Sequence, residues 1–377
     1  MKNIQTFISA ITTPLASIFG SGFLVMVPIL VGAVGEYAIY GILLITFVAY
    51  NVGNVIRYNI KHVEPLLENG ASLTTRYLES IASFSLIIAY VVSVSLYLHI
   101  LSAFVLTGLG ADSIFYEDIL TSVIIVAITL IAITKGLSAL EFLEKYALGI
   151  TLVIVLALIV SFFLYDLNIY LSDIPFTMPK ALEHSTTEVF AIIAGMLIVV
   201  QGFETSRYLG DSYSSELRIK TSKVSQIFST LVYVVFVSLA LPIAYLLKGH
   251  YDDHSLITLV TLTSSFMVIP LIIVAALSQF SAAVADTLAA SGSMEEVSHG
   301  KVKKITSYLL IAFFAIIVTW SVHTLEIIAL ASRAFALYYL LQALVAISVS
   351  KKVLEKVYFG ILAVILLGIT LFAIPVG

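Results

Sequence analysis

The sequence predicts an all-α, polytopic membrane protein. Of its 377 residues, 60% are hydrophobic and only 11% are charged, and the mean hydropathy is +1.09. A soluble domain of this length cannot cover its surface with so few charges. The apolar residues also gather into eleven stretches, each close to the roughly 20 residues that a helix needs to cross a bilayer. They lie near 14–34, 37–58, 78–107, 119–134, 140–165, 189–209, 221–247, 267–292, 305–320, 325–349 and 354–374. The lipid bilayer is therefore the first expected partner.

The first stretch follows Met1–Phe7, which carries one lysine and no small-residue cleavage site, so it reads as a retained helix and not a signal peptide. In its middle sits Gly20-Ser21-Gly22, followed by Pro28. A helical glycine costs about 1 kcal/mol relative to alanine, and a break in a bilayer is tolerated only where the backbone is buried or lines a cavity. Such breaks build the central site of many secondary transporters. Span six carries a second interruption, at Gln201-Gly202-Phe203-Glu204.

Orientation follows the basic residues. With the N-terminus cytoplasmic, all of the 19 lysines and arginines but Lys180, Lys248 and Arg333 fall in cytoplasmic segments or at span ends facing them. The opposite loops, 112–118 and 251–253, are acidic. The expected location is the plasma (inner) membrane, with the C-terminus external. The two breaks then lie antiparallel with five spans in each set, as in an inverted repeat of 1–165 and 166–349, with 350–377 an added helix.

The absence of cysteine excludes disulfides and thiolate chemistry. A net charge of −4 without a basic run offers nothing to nucleic acid. No phosphate-binding loop, H-E-x-x-H pattern or clustered metal ligands appear, so an enzyme is not expected, nor a resident cofactor.

Ile18-Phe-Gly-Ser-Gly-Phe-Leu with Pro28 resembles the first-helix motif of amino acid–polyamine–organocation (APC) permeases, which reads I-G-S-G-I-F-x-x-P, and Gln201-Gly-Phe-Glu204 resembles their sixth-helix G-F-E signature. The resemblance covers spans one to ten. It implies the leucine-transporter fold and alternating access, with amino acids or organic amines as the commonest cargo. Members usually have twelve spans where eleven are read here. Span eight lacks the arginine and aromatic stretch of the family and carries Ser281-Ala-Ala-Val-Ala-Asp286 instead.

Gly20, Ser21 and Gly22 are expected to present backbone N–H groups to a substrate carboxylate at the positive end of the following half-helix, with close helix packing as the alternative. Ser17, Tyr90, Gln201, Gly202 and Phe203 complete the expected substrate set, Gln201 offering an amide and Phe203 a lid. Asp286 stands about 12 Å inside span eight, and an intramembrane carboxylate is a functional candidate by default. In sodium-coupled relatives of the fold, span-eight hydroxyls and span-one carbonyls bind the cation; by that resemblance the set here is Ser278, Ser281, Ala16 and Phe19. A proton is the preferred coupling ion and sodium the alternative. Glu204 and Arg207, three apart, read as a local ion pair or a gate. Arg333 reads as paired with Glu326, or as an external gate. Tyr90, Ser93, Tyr97 and His99 place polar groups at membrane depth in span three. The expected function is a proton-coupled amino acid symporter; a sodium-coupled symporter and an inorganic-cation carrier or channel on the same fold are the alternatives.

Overall fold

In the computed structural model, which describes residues 2–20, 22–111, 113–136 and 138–376, every regular element is helical. Ser21 lies outside the described residues. The first stretch is split into α1 (Lys2–Gly20) and α2 (Met26–Val34), with a turn over Gly22–Val25. Pro28 falls in the first turn of α2, where its missing N–H would have had no helical partner. Then follow α3 (Ala38–His62), a short α4 (Glu64–Asn69), α5 (Leu73–Gly108), α6 (Ile114–Thr134) and α7 (Ser138–Leu171). The second half holds α8 (Thr186–Ala194), α9 (Ser215–Ala244), α10 (Ser255–Ser264), α11 (Val268–Val297), α12 (Lys304–Ser321), α13 (Thr324–Val349) and α14 (Val353–Phe372).

Among the described residues, nine helical runs are long and apolar enough to cross a membrane. The two expected stretches missing from that set are the first and the sixth, and both are missing for the same reason. Their helices are interrupted. After α8 the chain continues as 3-10 turns over Leu197–Val200 and Phe203–Leu209, so the interruption expected at 201–204 is present and the segment beyond it, to 209, is 3-10 and not α-helical. The tightening is local: both the N–H and the hydroxyl of Thr205 bond back to the carbonyl of Gly202, at 3.3 and 2.7 Å. The helices α4 and α10 were not expected from the hydropathy pattern.

Side-chain caps fix several helix starts. Ser72 accepts the Thr75 N–H at 3.2 Å at the start of α5, and Ser214 accepts the Leu217 N–H at 3.4 Å at α9. Ser185 and Glu188 form a reciprocal capping box on α8. The core is built around α5, which packs against α11, α13, α6 and α12, while α1 lies against α9 and α7. Every residue of α5 from Ala89 to Phe104 is buried. The outer faces of α6, α7, α12 and α14 instead expose large apolar side chains such as Val123, Val153, Phe313 and Leu354, the surface that lipid requires. One end of the bundle carries the lysine- and arginine-rich connections and is called the basic end below.

Candidate functional site

The two breaks meet. A side chain on Gly22 would put its Cβ 2.9 Å from Cγ2 of Val199, and one on Gly202 would lie 2.6 Å from the backbone nitrogen of Ile18. Gly202 also has φ +122°, which L side chains rarely adopt. The interrupted segments therefore cross backbone to backbone, a contact that only glycine permits at these positions. The first stretch contributes its helix end there: α1 ends at Gly20, and the carbonyl of Ile18 accepts the Tyr233 hydroxyl at 2.7 Å.

Gln201, Gly202 and Phe203 brace this crossing and do not line the cavity beside it. The Gln201 amide donates to the Tyr97 hydroxyl at 2.8 Å, and Phe203 stacks on Tyr339 with ring centroids 5.3 Å apart. Glu204 turns back on the break: one carboxylate oxygen accepts the Gly202 N–H at 2.9 Å and the Tyr339 hydroxyl at 2.7 Å. Glu204 thereby satisfies a backbone N–H of the irregular segment, which Gln201 and Phe203 fix through side-chain contacts.

On the basic-end side of the crossing lies a cavity of about 100 Å³, bounded by α1, α5, α11 and the turn 205–209. It collects residues that sequence reasoning had assigned to two separate sets. Ser17, Tyr90 and Asp286 share its wall with Ala16 and Ser281, and Ala282, Ala285 and Ala289 make much of the rest apolar. Asp286 is 4% exposed and accepts the Ser93 hydroxyl from α5. Among the described residues, no lysine, arginine or histidine forms an ion pair with it. Among the described residues, the buried Tyr90 hydroxyl has no hydrogen-bond partner.

A second, much smaller void of about 10 Å³ adjoins it, near the smallest space that holds one water-sized particle. Ala16, Phe19 and Gly20 bound it from α1, Ser278 and Ser281 from α11, and Thr151 from α7. Among the described residues, the buried Thr151 hydroxyl has no hydrogen-bond partner. The residues named by resemblance for a cation thus share one small space, and α7 adds a hydroxyl that no motif had marked.

Glu204 and Arg207 are not an ion pair. Their side chains diverge because Glu204 is held by Gly202 and Tyr339, whereas Arg207 meets Glu79 of α5 at 2.7 Å and Glu64 of α4 at 3.8 Å. Arg207 also donates to Gln342 of α13 at 2.5 Å, and Arg218 joins Glu64 at 2.6 Å. This half-buried network ties the sixth stretch to α4, α5, α9 and α13 at the basic end. Glu64, Glu79 and Gln342 had no distinguishing sequence signal, since isolated acids near span ends are ordinary. Arg333 does not pair with Glu326 either. Glu326 caps α13 by accepting the His323 N–H at 2.9 Å, and Arg333 donates to the Leu371 carbonyl at the end of α14, at 2.8 Å. A cation at a helix C-terminus is favoured by the carbonyls gathered there.

At the opposite end, Asp253 in the connection 248–254 is shielded from solvent. Burial alone would push its carboxyl up, but hydrogen bonds from His254 and Thr324, with the two imidazoles of His254 and His99 nearby, outweigh it, holding it below the usual carboxylate range.

Comparison with known proteins places this geometry. The family model described as APC superfamily transporter matches residues 2–373. An uncharacterized protein of Aquifex aeolicus (strain VF5) is 36% identical over 368 residues, covering 96% of this chain and 89% of that one. Among solved structures, an Eremococcus coleocola manganese transporter superposes with TM-score 0.58 at 11% identity, over 97% of this chain and 85% of its own. A Na+-coupled sialic acid symporter in a substrate-bound, outward-open state gives 0.51 at 11% identity, over 100% and 98%. Those structural likenesses show the shared fold. With two helices broken against each other beside a buried carboxylate, and a family match along almost its whole length, the chain belongs to the APC superfamily of transporters.

Proposed function

We propose that the protein is a proton-coupled symporter for a small neutral amino acid, working by alternating access. The single observation that carries this reading is Asp286. It is a buried carboxylate on α11 with the neutral Ser93 hydroxyl as its hydrogen-bond partner, on the wall of the cavity beside the two breaks. A group of this kind is costly to keep at membrane depth and marks an ion or proton pathway. Protonation from one side and release to the other would couple the gradient to the rearrangement of the surrounding helices.

The cargo reading rests on the first break. α2 begins without a side-chain cap, and in this reading the N–H groups at its positive end hold a carboxylate. The alanine-rich wall of the adjoining cavity suits a small, uncharged side chain. In this reading 1–165 and 166–349 are the two inverted repeats and 350–377 the added helix. The basic end faces the cytoplasm of the inner membrane by the distribution of lysine and arginine. Arg207, joined to Glu79 across to α5, acts as a gate on that side.

A second reading has its own observation. The void bounded by Ala16, Phe19, Ser278, Ser281 and Thr151 offers hydroxyls and helix-terminal carbonyls to a hard cation, and sodium would then be the coupling ion. The test is uptake from a mixed amino-acid pool into proteoliposomes under an inward proton or an inward sodium gradient, read by mass spectrometry. Accumulation under the proton gradient that Asp286→Asn abolishes supports the first reading. Sodium dependence lost in Ser278→Ala and Thr151→Ala supports the second. Flux of a bare inorganic cation such as manganese with no organic cargo overturns both.

A further inference from the structure

A group of side chains that carry metal-ligating atoms lies at the end opposite the basic loops, separate from the cavity of Asp286. Asp252, Asp253 and His254 each offer a ligand atom, and these atoms lie within 4.8 Å of one another. His254 Nδ1 is 3.1 Å from an Asp253 oxygen and its Nε2 is 3.5 Å from Asp252. Neighbouring ligands in a tetrahedral zinc shell stand about 3.3 Å apart, given metal–ligand bonds near 2.0 Å; an imidazole gives one nitrogen to an ion, so either Nδ1 with Asp253 or Nε2 with Asp252 supplies the first edge and the other carboxylate rotates to meet it. The Ser255 hydroxyl, donating to Asp252 at 2.6 Å, already orients one of the carboxylates.

An independent observation comes from α5. His99 is 1% exposed and lines the same cavity of about 240 Å³ as Asp252, Asp253 and His254. Its Nε2 faces the Asp118 carboxylate at 3.2 Å, while its Nδ1 is buried with no hydrogen-bond partner among the described residues. A carboxylate that accepts one ring N–H fixes the tautomer and leaves the other nitrogen with its lone pair free, the arrangement seen behind metal-bound histidines. A histidine kept only for packing would need neither the oriented tautomer nor an empty acceptor on a cavity wall that also carries two aspartates.

We propose that Asp252, Asp253, His254 and His99 bind one divalent transition-metal ion of the zinc class. Two imidazoles beside two carboxylates select such an ion over calcium or magnesium, which take oxygen ligands. The bound ion would fasten the connection before α10 onto α5 across this cavity wall.

The test is titration of the purified full-length protein in lipid nanodiscs, stripped with chelator, with zinc chloride followed calorimetrically. The expected result is saturable binding of one ion per chain that millimolar calcium and magnesium do not displace. His254→Ala, Asp252→Asn and His99→Gln should each weaken it at least about tenfold, in line with the loss of a ligand or its support. Asp252 is on the surface of its loop, so its variant keeps the fold, which an unchanged melting temperature without metal verifies. Absence of saturable binding, displacement by calcium, or affinity unchanged in Asp252→Asn and His254→Ala overturns the site. Unchanged affinity in His99→Gln alone overturns the assignment of α5 as part of it.

Discussion

The Ser93 hydroxyl donates to the Asp286 carboxylate, joining α5 to α11 at the wall of the cavity beside the two broken helices. The bond links the two helices that pack most extensively in the bundle, so a change at Asp286 is felt directly by the frame against which the broken helices lie. Replacing Asp286 with asparagine keeps a hydrogen-bond acceptor for Ser93 and removes the titratable group. Proteoliposomes of that variant should accumulate cargo at least about tenfold less under a proton gradient, with its melting temperature close to that of the parent protein. Ser93→Ala, which leaves the carboxylate without its hydroxyl, should lower both.

The crossing of the breaks predicts a sharp contrast between glycines. Gly202→Ala must place a Cβ against the Ser17–Ile18 backbone at a positive φ, so we expect little folded protein by size-exclusion chromatography. Gly292→Ala, on α11 with open space around its Cβ, should be tolerated or stabilise by up to about 1 kcal/mol through helix propensity. Thermal melts in detergent compare the two.

The Arg207 network should govern access from the basic end. Glu79→Gln removes the 2.7 Å partner and leaves a buried guanidinium undercompensated, a change that costs about 3–5 kcal/mol when such a pair is fully buried and less where water reaches it. Because the chain contains no cysteine, a single Ser17→Cys substitution reports directly on the cavity. We expect a water-soluble maleimide to label it faster in the Glu79→Gln background.

Arg333 should anchor α14. Its guanidinium holds the Leu371 carbonyl, and Arg333→Gln should lower stability by roughly 1–3 kcal/mol, the range for hydrogen bonds made by charged groups. Hydrogen exchange should rise at residues 366–372 and leave the start of α14 unchanged.

Composition and pattern alone established much of this molecule. Apolar stretches of bilayer length announced the helices, because hydrocarbon admits no unpaired backbone and a run of some 20 apolar residues has few other uses. Glycines with no role in a continuous helix announced the breaks at Gly20–Gly22 and Gly202, and a lone acid in an apolar run announced Asp286. These features are legible because each is costly where it stands. What they touch was decided by packing between segments far apart in sequence. Arg207 reaches Glu79 and not Glu204, Arg333 reaches Leu371 and not Glu326, and His99 shares a wall with Asp253. Charged side chains take the partner that the folded backbone brings within reach and desolvates with them, and spacing along one helix carries no information about that partner.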